Sequence, residues 1–261
     1  MKILLVILMS FVLCGCVSNG GYDYAKDAPK LYKTEFTELK SLKPPERKAV
    51  VAVYDFPDLT GQRKDKDTVA SFSNAVTQGG VTLLIDAVKN AGNGEWFTVV
   101  ERNRIDDLAK ERQIVKSTRD EYQGKDSNKL KPMLFAGLIL QGGIIGYDSN
   151  VITGGVGARY LGIGGDISYR KDEVSVALRA TSTDTGEVVL NVQVSKTILS
   201  YGTSLTLFTF VDAGTKAVEA ETGITENEAN TRAVKVATEA AVVELIKQGI
   251  EKKLWSYKNE K

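Results

Sequence analysis

Residues 147 to 172 read YDSNVITGGVGARYLGIGGDISYRKD, and this stretch decides how the chain is interpreted. A turn near residues 161–164 divides it into two arms of about ten residues each, rich in glycine and tyrosine. Apolar residues recur at every second position within each arm, which is the period of a strand with one apolar and one polar face. The apolar positions are Ile152, Val156, Tyr160, Ile167 and Tyr169, and the polar positions of the second arm include Asp166 and Arg170.

The glycines of this stretch favour extended chain over a dinucleotide-binding loop. Residues 155–157 (GVG) and 162–164 (GIG) leave the GxGxxG pattern incomplete, and no amphipathic helix follows them. An arm of about ten residues has the length that a tilted strand needs to cross a bilayer. The alternation alone leaves two interpretations open, a membrane-spanning hairpin and a surface hairpin of a soluble β-rich domain.

Residues 173–223 continue with the same period of two. Residues 173–199 turn at 184–186 (DTG) and predict a soluble hairpin with one buried face. Residues 200–223, which begin SYGTSLTLFTF and turn near 212–214, predict a second membrane hairpin. Phe208 and Phe210 are assigned to the lipid-facing side, although Leu205 and Leu207 have the other parity. The side predicted to face the lumen of a barrel carries Asp166 and Arg170 in the first hairpin and Glu219 and Glu221 in the second.

Two hairpins contribute four strands, which is too few to close a membrane barrel in which every strand edge is paired. If the hairpins span the membrane, several copies of the chain must therefore share one barrel.

The rest of the chain has the pattern of an α/β domain. Strands are predicted at 49–54, 98–100 and 134–145, with a helix over 81–88. A further helix over 105–114 is expected to turn Ile105, Leu108 and Ile114 inward, with its charged residues outward. Thr225 and Glu228 form a capping box before a helix within 224–261. The predicted class is α+β, a periplasmic α/β domain over 48–146 with a small sheet flanked by helices, plus two transmembrane β-hairpins per subunit, at 147–172 and 200–223.

The N-terminal residues predict export and lipidation. Residues 1–15 have a short positive start and an apolar stretch typical of a signal peptide. Residues 13–16 (LCGC) fit a bacterial lipobox in which Cys16 takes the lipid; the alternative is an ordinary signal peptide with Cys16 as a bystander. Val17 in place of an aspartate favours the outer membrane. Residues 16–47 are expected to be a tether or arm between lipid and domain.

The amino-acid composition excludes several classes of enzyme. The chain has 261 residues and no histidine, so it has no Ser-His-Asp triad and no HExxH zinc site. We expect no catalytic residue, no metal and no cofactor, and therefore no enzyme. The net charge of +1 gives no reason to expect a nucleic-acid partner.

Three stretches carry a resemblance to a known family. Residues 142–151 (GGIIGYDSNV), 154–164 (GGVGARYLGIG) and 195–201 (SKTILSY) resemble the curli secretion channel family, CsgG. The resemblance extends to residues 60–62 (TGQ), 96–97 (WF) and 254–255 (LW). It implies an outer-membrane lipoprotein of a Gram-negative bacterium, assembled as a nonamer around one barrel. It also implies ATP-independent export of unfolded curlin-like subunits, a periplasmic adaptor and an extracellular nucleation-coupling factor.

The family narrows its pore with a loop, which the resemblance places near residues 60–75. Phe72 matches the family's phenylalanine, Ser71 stands in the position of an asparagine, and Asp67 lies near the position of a tyrosine. A charged residue there is expected to change ion selectivity. The alternative for Phe72 is packing within the loop's own core. The alternative function is a non-channel lipoprotein that docks on and activates envelope enzymes, because one fold can serve several functions.

Overall fold

The computed structural model describes residues 31, 33–61, 76–124, 130–152, 158–160, 163–210, 217–226 and 230–258, with 149–171 and 198–230 described at the level of the backbone. Residues 34–261 form one compact unit. Cys16, Phe72, Ser71, Asp67 and Val156 lie outside the described residues.

In the described part of the compact unit, one mixed sheet of seven strands is the central element. β1 lies between β2 and β3 and is parallel to both, whereas the later strands pair antiparallel in the order β3-β5-β6-β7, with β4 on β5. Parallel pairing requires crossover connections, and antiparallel pairing needs only turns. The strands are β1 Ala49–Val53, β2 Phe97–Glu101, β3 Leu138–Ile152, β4 Ala158–Tyr160, β5 Ile163–Ser182, β6 Val188–Phe210 and β7 Ala217–Glu226.

The helices are α1 Thr37–Ser41, α2 Gly80–Asn90, α3 Ile105–Tyr122 and α4 Asn230–Glu251, with a 3₁₀ turn at Ala91–Gly94. α2 and α4 supply the apolar side chains that cover one face of the sheet, among them Leu84, Val88, Leu245 and Ile246, all of which are buried. α2 ends at Asn90, and in the 3₁₀ turn that follows, Gly92 and Asn93 adopt φ of 54° and 56°, a left-handed conformation that cannot continue the helix.

Three element predictions need correction. β7 extends to Glu226, so Thr225 belongs to a strand and does not cap α4, which begins at Asn230. β3 begins at Leu138 rather than residue 134. None of the residues of α3 is buried, and Ile114, expected to face inward, is 56% exposed. The charges on nearly every turn of α3 leave no apolar stripe wide enough to bury.

The last part of the predicted tether folds onto the domain. α1 packs its buried Leu39 into the core and lies beside α4. The Glu239 carboxylate on α4 accepts hydrogen bonds from the backbone N–H groups of Glu35 and Phe36, at 3.0 and 2.7 Å. Burial raises the pKa of Glu239, although these two hydrogen bonds and Lys235 lower it. A buried carboxylate therefore holds residues 35–36 against α4.

Aromatic side chains close the other end of α4. Trp96 packs edge-on against Trp255 and Tyr257, with ring centroids 6.1 and 5.8 Å apart. The indole N–H of Trp255 donates to the Ile246 carbonyl at 2.9 Å. A Cβ on Gly249 would lie 2.2 Å from the Trp255 ring, so this glycine gives the indole the space that it occupies.

Gly249→Ala is expected to destabilise the fold by about 1–3 kcal/mol, because the added methyl overlaps the indole. In a helix without this contact, the same change would stabilise by about 1 kcal/mol. Chemical denaturation of Gly249→Ala, Trp255→Ala and the double variant measures the coupling. If Gly249→Ala destabilises equally with and without Trp255, the packing argument is contradicted.

Candidate functional site at the foot of the hairpins

Residues 173–182 of β5 and 188–197 of β6, the lower halves of these strands, form a sheet with one buried face. Val174, Val176 and Leu178 on β5 are fully buried, as are Leu190 and Val192 on β6. The intervening residues lie on the opposite face, and several of them are exposed: Arg179, Asn191, Gln193, Ser195 and Thr197. Directly facing residues in an antiparallel pair share a face. The apolar residues of both strands therefore lie on one face, and the helices cover that face.

The upper halves of the same two strands carry the opposite pattern. Pairing runs without a register shift from Ala180 opposite Leu190 to Ile163 opposite Leu207, so each face keeps its parity throughout. In residues 163–170 of β5 and 200–207 of β6, the positions that continue the core-side face are polar or small, and the other face is mainly apolar. Ile198, Phe208 and Phe210 are apolar exceptions on the core-side face. The core-side positions include Asp166, Ser168, Arg170, Ser200 and Ser204, and the other face includes Ile163, Ile167, Tyr169, Leu205 and Leu207.

The register groups the predicted hairpin residues. Ile152 pairs with Tyr169 and Tyr160 with Ile163, which places these positions on the same face as Ile167. Asp166 and Arg170 occupy the other face. Glu221 pairs with Thr206 and Glu219 with Phe208, which puts both glutamates on the face of Asp166.

This register corrects the assignment of two phenylalanines. Phe208 is opposite Glu219, and directly facing positions share a face, so these two positions cannot belong to a lipid-facing and a lumen-facing set respectively. Phe210, two residues on, shares the face of Phe208. Leu205 and Leu207 share their face with Ile163 and Ile167 and replace the phenylalanines in the apolar set.

A buried polar pair marks the level at which the two patterns meet. The Tyr147 hydroxyl donates to the Asp172 carboxylate at 3.0 Å, and Asp172 is only 4% exposed. This pair was not predicted from the sequence. The available signal was an acid that directly precedes the alternating apolar series of Val174, Val176 and Leu178 with the same parity.

The segment after β1 brings the base of the predicted constriction loop to this level. Pro57 accepts a hydrogen bond from the Ile144 N–H at 3.0 Å, and the Leu59 N–H donates to the Ile144 carbonyl at 2.9 Å. A Cβ on Gly143 would lie 2.7 Å from the Pro57 carbonyl, so the glycine permits this close approach. The segment that leads into the predicted loop therefore lies beside Ile144, three residues before position 147, where the first predicted hairpin starts.

Other kinds of site find no support in the described part of the chain. Within it, no group of three or more His, Cys, Asp and Glu residues is arranged to hold a metal ion. No described helix is both long and apolar enough to cross a membrane.

Comparison with known proteins identifies the family. The model of the family described as "Curli production assembly/transport component CsgG" matches residues 33–261. This chain belongs to the CsgG family. It is 36% identical to the Citrobacter koseri protein of that name, over 100% of this chain and 93% of the relative. It is 35% identical to the Escherichia coli K12 protein of that name, with the same coverage. The family is one of curli production and transport components.

Among solved structures, the chain is similar to a neuraminyllactose-binding hemagglutinin homologue from Helicobacter pylori. The identity is 10% and the TM-score 0.32, over 87% of this chain and 94% of that one.

Proposed function

We propose that the chain is an outer-membrane lipoprotein channel that exports unfolded curli-type subunits from the periplasm. The reversal of face polarity along β5 and β6 is the observation that supports this most directly. A sheet that leaves a soluble domain and enters a bilayer must exchange its apolar face, because lipid then surrounds the side opposite the former core. A surface hairpin in water has no reason to make an apolar face opposite to the one that its own core uses.

The strand order supports sharing of the barrel between subunits. The four proposed membrane segments lie side by side in the order β3-β5-β6-β7, with β4 pairing β5, so each subunit supplies one antiparallel piece. Among the described residues, no strand pairs with the outer edge of β7 or with that of β3 beyond Ile144. Unpaired backbone groups are costly in hydrocarbon, and neighbouring copies can satisfy them by pairing edge to edge. The proposed assembly is therefore a closed ring of identical subunits, a nonamer by analogy with the family.

The proposed lumen suits an unfolded chain in transit. Asp166, Arg170, Glu219 and Glu221 share a face with serine, threonine and glycine positions, and Phe208 and Phe210 lie on that face as well. A wet wall of this kind holds a passing polypeptide by weak contacts and has no tight binding site. Export then proceeds by diffusion without ATP, with a periplasmic adaptor and an extracellular nucleation factor as proposed partners.

The narrowest point is proposed to be the loop near residues 60–75, at the foot of the barrel. The seating of residues 57–59 against Ile144 supports this position. Phe72 would supply an apolar ring around the axis, with Ser71 beside it and Asp67 adding charge at another level. Lipid on Cys16, after removal of residues 1–15, would anchor the subunit to the membrane, with its α/β domain in the periplasm.

Single-channel recording tests the proposal and its constriction together. Purified protein in a planar bilayer is expected to form uniform channels, and Phe72→Ala is expected to raise their conductance by widening the neck. The matched control is Phe135→Ala, which removes a phenylalanine that is 68% exposed on the domain. A protein that is monomeric and non-conducting would overturn the channel and favour the docking lipoprotein. Conducting channels with no response to Phe72→Ala would overturn the constriction only.

A further inference from the structure

Asp58 connects the two ends of the segment that carries the predicted constriction. On the entry side its Oδ1 accepts hydrogen bonds from the Thr60 N–H at 2.9 Å and from the Thr60 hydroxyl at 2.7 Å. On the exit side its Oδ2 accepts from the Gln78 Nε2 at 3.2 Å. One carboxylate therefore joins Thr60 to Gln78, which is 20 positions from Asp58, with the predicted loop between them.

The sheet holds the backbone that carries this carboxylate. Asp58 forms a parallel bridge with Ile144 of β3, so its backbone is held by the sheet. On the exit side, a Cβ on Gly80 would lie 2.3 Å from the Phe56 carbonyl. α2 thus begins in direct contact with the segment that enters the loop. The two ends approach each other so closely that only glycine fits at this point.

We propose that Asp58 and Gln78 form a brace that sets the geometry of the pore constriction, with Asp58 as a positioning residue outside the translocation path. The inference rests on the proposed channel function. A loop whose ends are held together samples fewer conformations than one whose ends move independently. The brace would therefore keep copies of the loop around the ring in one arrangement and give the channel a single aperture.

The contacts at Asp58 separate into two parts that substitutions can remove independently. Gln78→Leu keeps the size of the side chain and removes only the contact that bridges the loop. Thr60→Val removes the hydroxyl donor and leaves the backbone N–H donor and the bridge in place. Asp58→Asn keeps an acceptor for Thr60, and its amide can donate to the Gln78 carbonyl oxygen after that side chain flips.

Planar-bilayer recording with these variants tests the brace. Asp58→Ala and Gln78→Leu are expected to lose the single sharp conductance peak and to increase open-channel current noise. Asp58→Asn is expected to restore wild-type behaviour, and Thr60→Val to lie close to it. The midpoint of thermal unfolding is expected to stay unchanged in Gln78→Leu, which separates positioning of the loop from loss of fold.

Asp55→Ala is the matched control, since it removes an exposed carboxylate three residues earlier in the same segment. It is expected to leave the conductance peak sharp. If Asp55→Ala broadens the peak as much as Asp58→Ala, or if Gln78→Leu leaves it sharp, the brace is overturned while the channel stands. A wild-type protein that does not conduct overturns the channel itself, and the role of the brace with it.

Discussion

Replacing Leu207 by lysine is expected to abolish assembly of the ring in the membrane. Leu207 pairs with Ile163 on one side and Ala220 on the other, on the apolar face of the proposed barrel. A lysine on the lipid-facing side of a barrel costs about 2–4 kcal/mol near the bilayer midplane. Because the proposed ring repeats each subunit, the cost arises at every copy, and the total far exceeds what one site would impose.

The neighbouring position provides the control. Thr206 pairs with Gly164 and Glu221 on the opposite face, so Thr206→Lys is expected to assemble normally. Phe208 shares that face, and Phe208→Lys is expected to be tolerated in the same way. The measurement is the yield of heat-labile oligomer in isolated outer membranes. Equal yields from Leu207→Lys and Thr206→Lys would contradict the membrane hairpin, and loss of oligomer in Phe208→Lys alone would contradict the register.

Glu239→Ala is expected to reduce the free energy of unfolding by about 3–5 kcal/mol, the range for breaking a buried ion pair on one side. The carboxylate lies 3.9 Å from the ammonium of Lys235, and both side chains are almost fully buried. Glu239→Ala removes the carboxylate that faces the buried ammonium of Lys235. It also removes the acceptor of the hydrogen bonds from the backbone N–H groups of Glu35 and Phe36. Chemical denaturation of the purified full chain measures the loss.

The double variant Lys235→Met/Glu239→Gln is the control for charge burial. It removes both charges and keeps an acceptor for the arm, so stability close to wild type is expected. If the double variant is as unstable as Glu239→Ala, burial of charge is not the cause.

The pH dependence follows from the direction of the pKa shift. Burial raises the pKa of Glu239 above its ordinary value of 4.5, so the folded chain keeps this proton to higher pH than the unfolded chain. Its contribution to stability therefore falls as pH rises from 4.5 through the raised pKa and is constant above it. This slope is expected to disappear in the double variant.

Local patterns were sufficient for much of the fold. The period of two in residues 173–199 predicted the half-buried hairpin, and the period of 3.6 in 81–88 predicted α2, because burial of one face imposes these spacings along a single element. The long matching stretches indicated the family, which the comparisons then confirmed. The alternation in 147–172 also predicted that the apolar and polar positions would fall on separate faces.

Only the tertiary structure decided which positions share a face between strands. Alternation is a property of one strand, whereas the pairing of Phe208 with Glu219 depends on register, and a slip of one residue exchanges the faces. Likewise, the contact of Asp58 with Gln78 joins residues 20 positions apart, and Glu239 reaches Phe36 across the domain. The sequence by itself determined the family and the alternation within each arm. The register between the arms, and the contact that joins the two ends of the predicted constriction loop, were decided only by the tertiary structure, because such contacts depend on folding of the whole chain.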